Sequence, residues 1–80
     1  MTTKNEIEKI KDFDIDTIKR SFSWICTTLL NDKKLSKSKK KAILFNVFVE
    51  FQKVLIIKKA KDKDFHYINK CYVLTIKKLS

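Results

Sequence analysis

Eighty residues, 44% of them hydrophobic and nine of them aromatic, make a chain long enough for one modest core and too apolar to stay disordered. Eighteen lysines and one arginine against nine carboxylates give a formal net charge of +10, which points toward anionic partners. Glycine and proline are both absent, which excludes P-loop and dinucleotide-binding fingerprints, because their glycines let a phosphate approach the backbone.

The missing glycine also removes the usual residue of hairpin turns and of the position just past a helix end. Helices need neither glycine nor proline, and their ends are expected to rely on Asn or on lysine side chains reaching the last carbonyls, as Asn31 and the lysines after it allow. Thr3 followed by Glu6 has capping-box spacing, with Ile7 and Ile10 after it, which predicts a short helix over residues 4–12. Asp14 and Asp16 are candidate caps for a second helix, in which Ile15, Ile18, Phe22, Ile25 and Leu29 recur by three and four. Trp24 and Leu30 fall off that stripe.

Residues 31–41 are polar and lysine-dense and read as a loop, with Ser36 and Ser38 as candidate caps for a third helix. Over residues 42–60 the interruptions Asn46, Glu50 and Lys53 form one narrow polar stripe on an otherwise apolar helix, which is expected to be the buried spine of the bundle. The same stretch carries a strand signal, because Phe45, Val47, Val49 and Phe51 alternate with mostly polar neighbours; length and the lack of glycine favour the helix. Past a charge run at 58–64, Asp64 is a candidate cap for a last helix with Phe65, Ile68, Tyr72, Ile76 and Leu79 on one face, although residues 71–76 could also form a short strand. The expected fold is a single all-α domain over residues 1–80, a small bundle of three to four helices around a nearly all-apolar third helix.

The residue inventory argues against catalysis. One histidine and two isolated cysteines, Cys26 and Cys71, supply no zinc-ligand pattern, and no metal or cofactor is expected. Cys26 and Cys71 read as buried small hydrophobes in a reducing, cytoplasmic setting, since the polar N-terminus carries no apolar signal run. Residues 43–57 are too short and too charged, with Glu50 and Lys53, for a membrane span of about twenty apolar residues.

Function is therefore read from the surface. Lys33, Lys34, Lys37, Lys39, Lys40 and Lys41 form one lysine cluster, and Lys58, Lys59, Lys61 and Lys63 a second, with Lys77 and Lys78 near the end. In an up-down bundle the two clusters bracket the 42–60 helix at opposite ends. They would neutralise nucleic-acid phosphates with little sequence preference, since guanine readout favours arginine and Arg20 stands alone. The rival reading is a small interaction factor of the inhibitor, immunity or anti-defence type, docking on a protein target or on a second copy of itself through Trp24, Phe45, Phe48 and Phe51.

Overall fold

The computed structural model describes residues 13–80, which form three α-helices that all pack on one another. They are α1 (Ile15–Asn31), α2 (Lys37–Ile57) and α3 (Asp62–Leu79). The helix expected over 4–12 lies outside the described residues. The strand alternatives over 43–57 and 71–76 are overturned, since both stretches are helical throughout.

Helix α1 opens where Asp14, in extended backbone, accepts the Thr17 N–H at 2.7 Å and so satisfies a donor that the first turn leaves without a partner. It buries Ile18, Phe22, Ile25, Cys26 and Leu29, the stripe that the three-and-four spacing marks out, with Cys26 added. At its far end the chain turns without glycine. The Asp32 carboxylate accepts the N–H groups of Lys34 at 2.7 Å and Leu35 at 3.1 Å, a side chain standing in for a backbone turn.

Helix α2 begins five residues before the expected 42 and takes in lysines read as loop. Ser36 accounts for this: its hydroxyl accepts the Lys39 N–H at 3.2 Å, and lysine is a good helix former once a cap is in place. The helix is not the enclosed spine of the bundle. In a three-helix bundle each helix has only two neighbours, so α2 buries Leu44, Val47, Phe51, Val54 and Leu55 and leaves Phe45, Ile56 and Ile57 more than half exposed.

The end of α2 corrects the expectation that Asn or lysine side chains would cap it. Lys59 itself adopts the left-handed backbone, at φ 56°, donating its N–H to the Ile56 carbonyl while the Ala60 N–H reaches the Leu55 carbonyl. This is a Schellman motif with a lysine in the glycine position. Helix α3 then starts at Asp62, two residues before the expected cap, and Asp64 serves as the third residue of its first turn, folding back to accept the Lys61 N–H at 3.1 Å.

Aromatic rings join the three helices. Phe22 of α1 meets Phe51 and Phe48 of α2 at ring-centroid distances of 5.1 and 6.3 Å, and Phe48 stacks on Tyr72 of α3 at 4.2 Å. An ion pair closes the α1–α3 seam: Lys19 donates to the buried Asp64 at 2.9 Å, with its ammonium 5.4 Å from the centre of the Tyr67 ring. On α2 and α3, Gln52 donates to Asn69 at 3.0 Å, and Phe48 pairs with Tyr72 a turn earlier on one helix and a turn later on the other, so the two run antiparallel.

The left-handed residue and the α1–α3 ion pair each leave a signature in stability. Lys59→Gly removes the left-handed strain of a residue with a Cβ and should stabilise the fold by about 1 kcal/mol, raising Tm by roughly 4–8 °C in a domain of this size. A Tm unchanged or lowered in thermal denaturation would refute the assignment. The Lys19 hydrogen bond holds the Asp64 carboxyl below its ordinary range, against an opposing effect of burial, so the ionised form stabilises the fold at neutral pH and that contribution is lost as pH falls through the depressed value. Asp64→Asn should therefore lower Tm at pH 7, and the gap to the parent should close on acidification below about pH 4, the ordinary carboxylate range. A gap of constant size from pH 7 to strong acid would show that the ion pair contributes nothing.

Candidate functional site

The up-down-up path of the helices places the lysine clusters at opposite ends of α2, whose 21 residues span about 30 Å at 1.5 Å rise per residue. The first lies at the α1–α2 turn and the opening of α2. Lys33, Lys34, Lys37 and Lys39 are exposed there and Lys41 half-buried. Lys40 is only 8% exposed: its stem is covered, and its charge joins that of Lys34 in holding down the Asp32 carboxyl, behind the two backbone hydrogen bonds that dominate that shift. Of the six, Lys40 is thus least able to meet a phosphate.

The antiparallel run of α3 brings its last turn, with Lys77 and Lys78, to this same end. Among the described residues, eight lysines therefore share one pole with one side-chain carboxylate, Asp32, whose oxygen is engaged by the turn. Sequence reading set Lys77 and Lys78 apart; the signal that joins them is the short α2–α3 turn, which folds residues near 78 back beside those near 42.

Four of the first five residues of α2 are lysines, and its first turn holds no acid. The N-terminal end of a helix carries partial positive charge from its unpaired N–H groups, so cations there are electrostatically misplaced. By contrast, Asp62 and Asp64 open α3 and Lys77 and Lys78 close it, the arrangement that the helix dipole favours.

The second cluster is partly compensated, since Lys19 and Arg20 draw on the same acids. Lys58, Lys59, Lys61 and Lys63 share their end of the bundle with Asp14, Asp16, Asp62 and Asp64, and they line a shallow open depression together with Ile15, Asp16 and Asp64. The two clusters thus differ in net charge, partly because Asp62 and Asp64 interleave with the second in sequence and partly because the fold brings Asp14 and Asp16 beside it.

The four apolar residues expected to meet a partner are not brought together. Phe51 is fully enclosed at the aromatic junction, and Phe48 is half-buried against Tyr72. Phe45 is 54% exposed, on the helical stripe that also carries Gln52 and Ile56, hence on the flank toward α3, where Val73 is exposed one turn beyond Asn69. Trp24 stands apart on the outer face of α1. Sequence reading missed Ile56 and Val73, because an apolar helix does not disclose which of its faces lacks a neighbour.

Burial pushes the Cys26 and Cys71 thiols up, away from the thiolate form, and both are free. Asp64, two residues before the single histidine, His66, is held by Lys19 and the Lys61 N–H, while His66 is exposed. Among the described residues no cluster of three or more His, Cys, Asp or Glu could hold a metal ion, and no helix is long and apolar enough to cross a membrane.

No protein-family model matches the chain, and no curated protein or solved structure is significantly similar to it.

Proposed function

We propose that this protein binds nucleic acid through the lysine pole formed by the α1–α2 turn, the first turns of α2 and the last turn of α3, with little sequence preference and without catalysis. The observation that supports this reading is the charge imbalance at that pole among the described residues, eight lysines around one engaged aspartate, with four lysines in the first five positions of a helix whose dipole disfavours them. Local choices that oppose the fold are expected where function requires them, and a phosphate backbone would relieve this one. Lysine supplies point charges that position a polyanion, and the lone arginine, Arg20, argues against base-specific readout.

A second reading rests on a separate observation. Phe45, Ile56 and Val73 leave apolar surface along the α2–α3 flank, which supports docking of a protein target, as an inhibitor or immunity factor would, or self-association.

Replacing the exposed Lys33, Lys34, Lys37 and Lys39 together by Ala separates the two. Affinity for a short labelled oligonucleotide at low salt should fall at least about tenfold, and the slope of log affinity against log salt should flatten by roughly 0.7–0.9 for each phosphate that is no longer neutralised. Tm should hold or rise slightly, since the helix dipole opposes cations at positions 37 and 39. Equal affinity and equal salt slope in parent and variant would sink the polyanion reading. For the second reading, Phe45→Ser should abolish any concentration-dependent dimer seen by sedimentation or any complex captured with a protein target; a protein that stays monomeric and makes no such complex at all counts against it.

A further inference from the structure

Trp24 is the chain's single tryptophan and the only large hydrophobic side chain exposed on α1, at 68%. An indole is normally a core or interface residue, because burying it is strongly favourable. Here the ring lies opposite the helix's buried face. The aromatic and cation–ring contacts formed among the described residues involve Phe22, Phe48, Phe51, Tyr72 and the Lys19–Tyr67 pair, and none involves Trp24.

Its surroundings are polar and cationic. Exposed Arg20 precedes it by one turn, exposed Thr27 and Thr28 follow by one turn and Asn31 by two, and the chain then enters the pole at Lys33 and Lys34. Residues 17–31 include no carboxylate. A protein-docking hot spot would be expected inside an apolar patch, and a membrane-inserting residue on a face with several apolar neighbours; this face offers neither. An isolated ring among cations, hydroxyls and an amide is instead the composition of a base-stacking platform, in which the ring takes a base face and the polar groups take the backbone.

We infer that the outer face of α1 binds single-stranded nucleic acid, with Trp24 stacking on an unpaired base while Arg20, Lys33 and Lys34 hold the flanking phosphates. Trp24 stands about 10 Å along the helix axis from Asn31, where the pole begins, a span that a strand of the roughly 4–16 nucleotides typical of such sites can cover. The face thus adds a preference for unpaired over paired strands, because a base inside a duplex is already stacked on its neighbours. This inference rests on the polyanion reading above and adds strandedness to it.

The single tryptophan makes the test direct, since intrinsic fluorescence reports on this residue alone. The protein is titrated with a labelled oligothymidylate, following tryptophan emission and label anisotropy together, and with a duplex of equal length as comparison. The expected result is quenching of emission that saturates in step with the anisotropy for the single strand and is absent for the duplex. Trp24→Ala should weaken single-strand binding about tenfold and leave duplex binding unchanged, while Trp24→Phe retains most of the affinity. Circular dichroism should be the same for both variants, because the side chain packs on nothing in the core. Anisotropy that reports binding while the emission is unchanged and Trp24→Ala binds like the parent would overturn the stacking inference and leave the polyanion reading intact. Anisotropy that reports no binding at low salt would overturn both.

Discussion

Phe22 is where the three helices meet, and the rest of the bundle depends on that junction. Its ring lies against Phe51 and Phe48 of α2, and Phe48 carries the contact on to Tyr72 of α3, so one aromatic line crosses both seams of α2. Truncating a fully buried phenylalanine costs about 3–5 kcal/mol, a large part of what an 80-residue domain has available. Around the junction Ile18, Leu44, Leu55 and Ile68 are equally enclosed. The most fully enclosed residues thus lie toward the interior of the bundle, and Leu29 and Leu79 extend the buried apolar surface to the lysine end.

The helix ends are shaped by the absence of glycine. Without it, each reversal of direction calls on a different device: a carboxylate that mimics a turn at Asp32, and a lysine held in left-handed backbone at Lys59. Only the second is conformationally costly, since Asp32 keeps an ordinary extended backbone. The two devices also differ electrostatically. The Asp32 turn places the one acid of its pole beside the chain it orders, whereas the α2–α3 turn is surrounded by Asp14, Asp16, Asp62 and Asp64.

Much of the fold was legible in the sequence, and the parts that were not have identifiable causes. The stripe Ile18, Phe22, Ile25 and Leu29 could be read because α1 is polar on its other side, so periodicity and burial coincide. Helix α2 hid its core face for the opposite reason: apolar residues on most of its circumference satisfy several periods at once, and only the packed neighbours distinguish Phe51, enclosed, from Phe45, exposed. Its cap was legible, since Ser36 stood as a candidate and does cap the helix, but the lysines that follow it read as loop and so the start was placed at 42. At the candidate site the cationic residues were legible individually, but their grouping was not. Joining Lys77 and Lys78 to the first cluster, and bringing Asp14 and Asp16 to the second, are effects of antiparallel packing that no local pattern encodes.

The positive pole is also a consequence of how the fold uses its acids. Asp14 caps α1, Asp32 builds a turn, and Asp64 both caps α3 and pairs with Lys19, which Asp16 also approaches at 3.7 Å. Glu50 pairs with Lys53 along α2. Five of the six carboxylates within residues 13–80 thus serve capping, turning or local pairing, and Asp62 stands in the first turn of α3, where the dipole favours it. Of these six, Asp32 alone is near the opening of α2, where the charges of Lys40 and Lys34 act on it. A protein that needed those lysines only to stay soluble would lose nothing by scattering them or by placing an acid at position 37 or 39, where it would also strengthen the helix. The polyanion proposed above would supply the negative charge that this helix end lacks, whereas the fold itself gains nothing from lysines there.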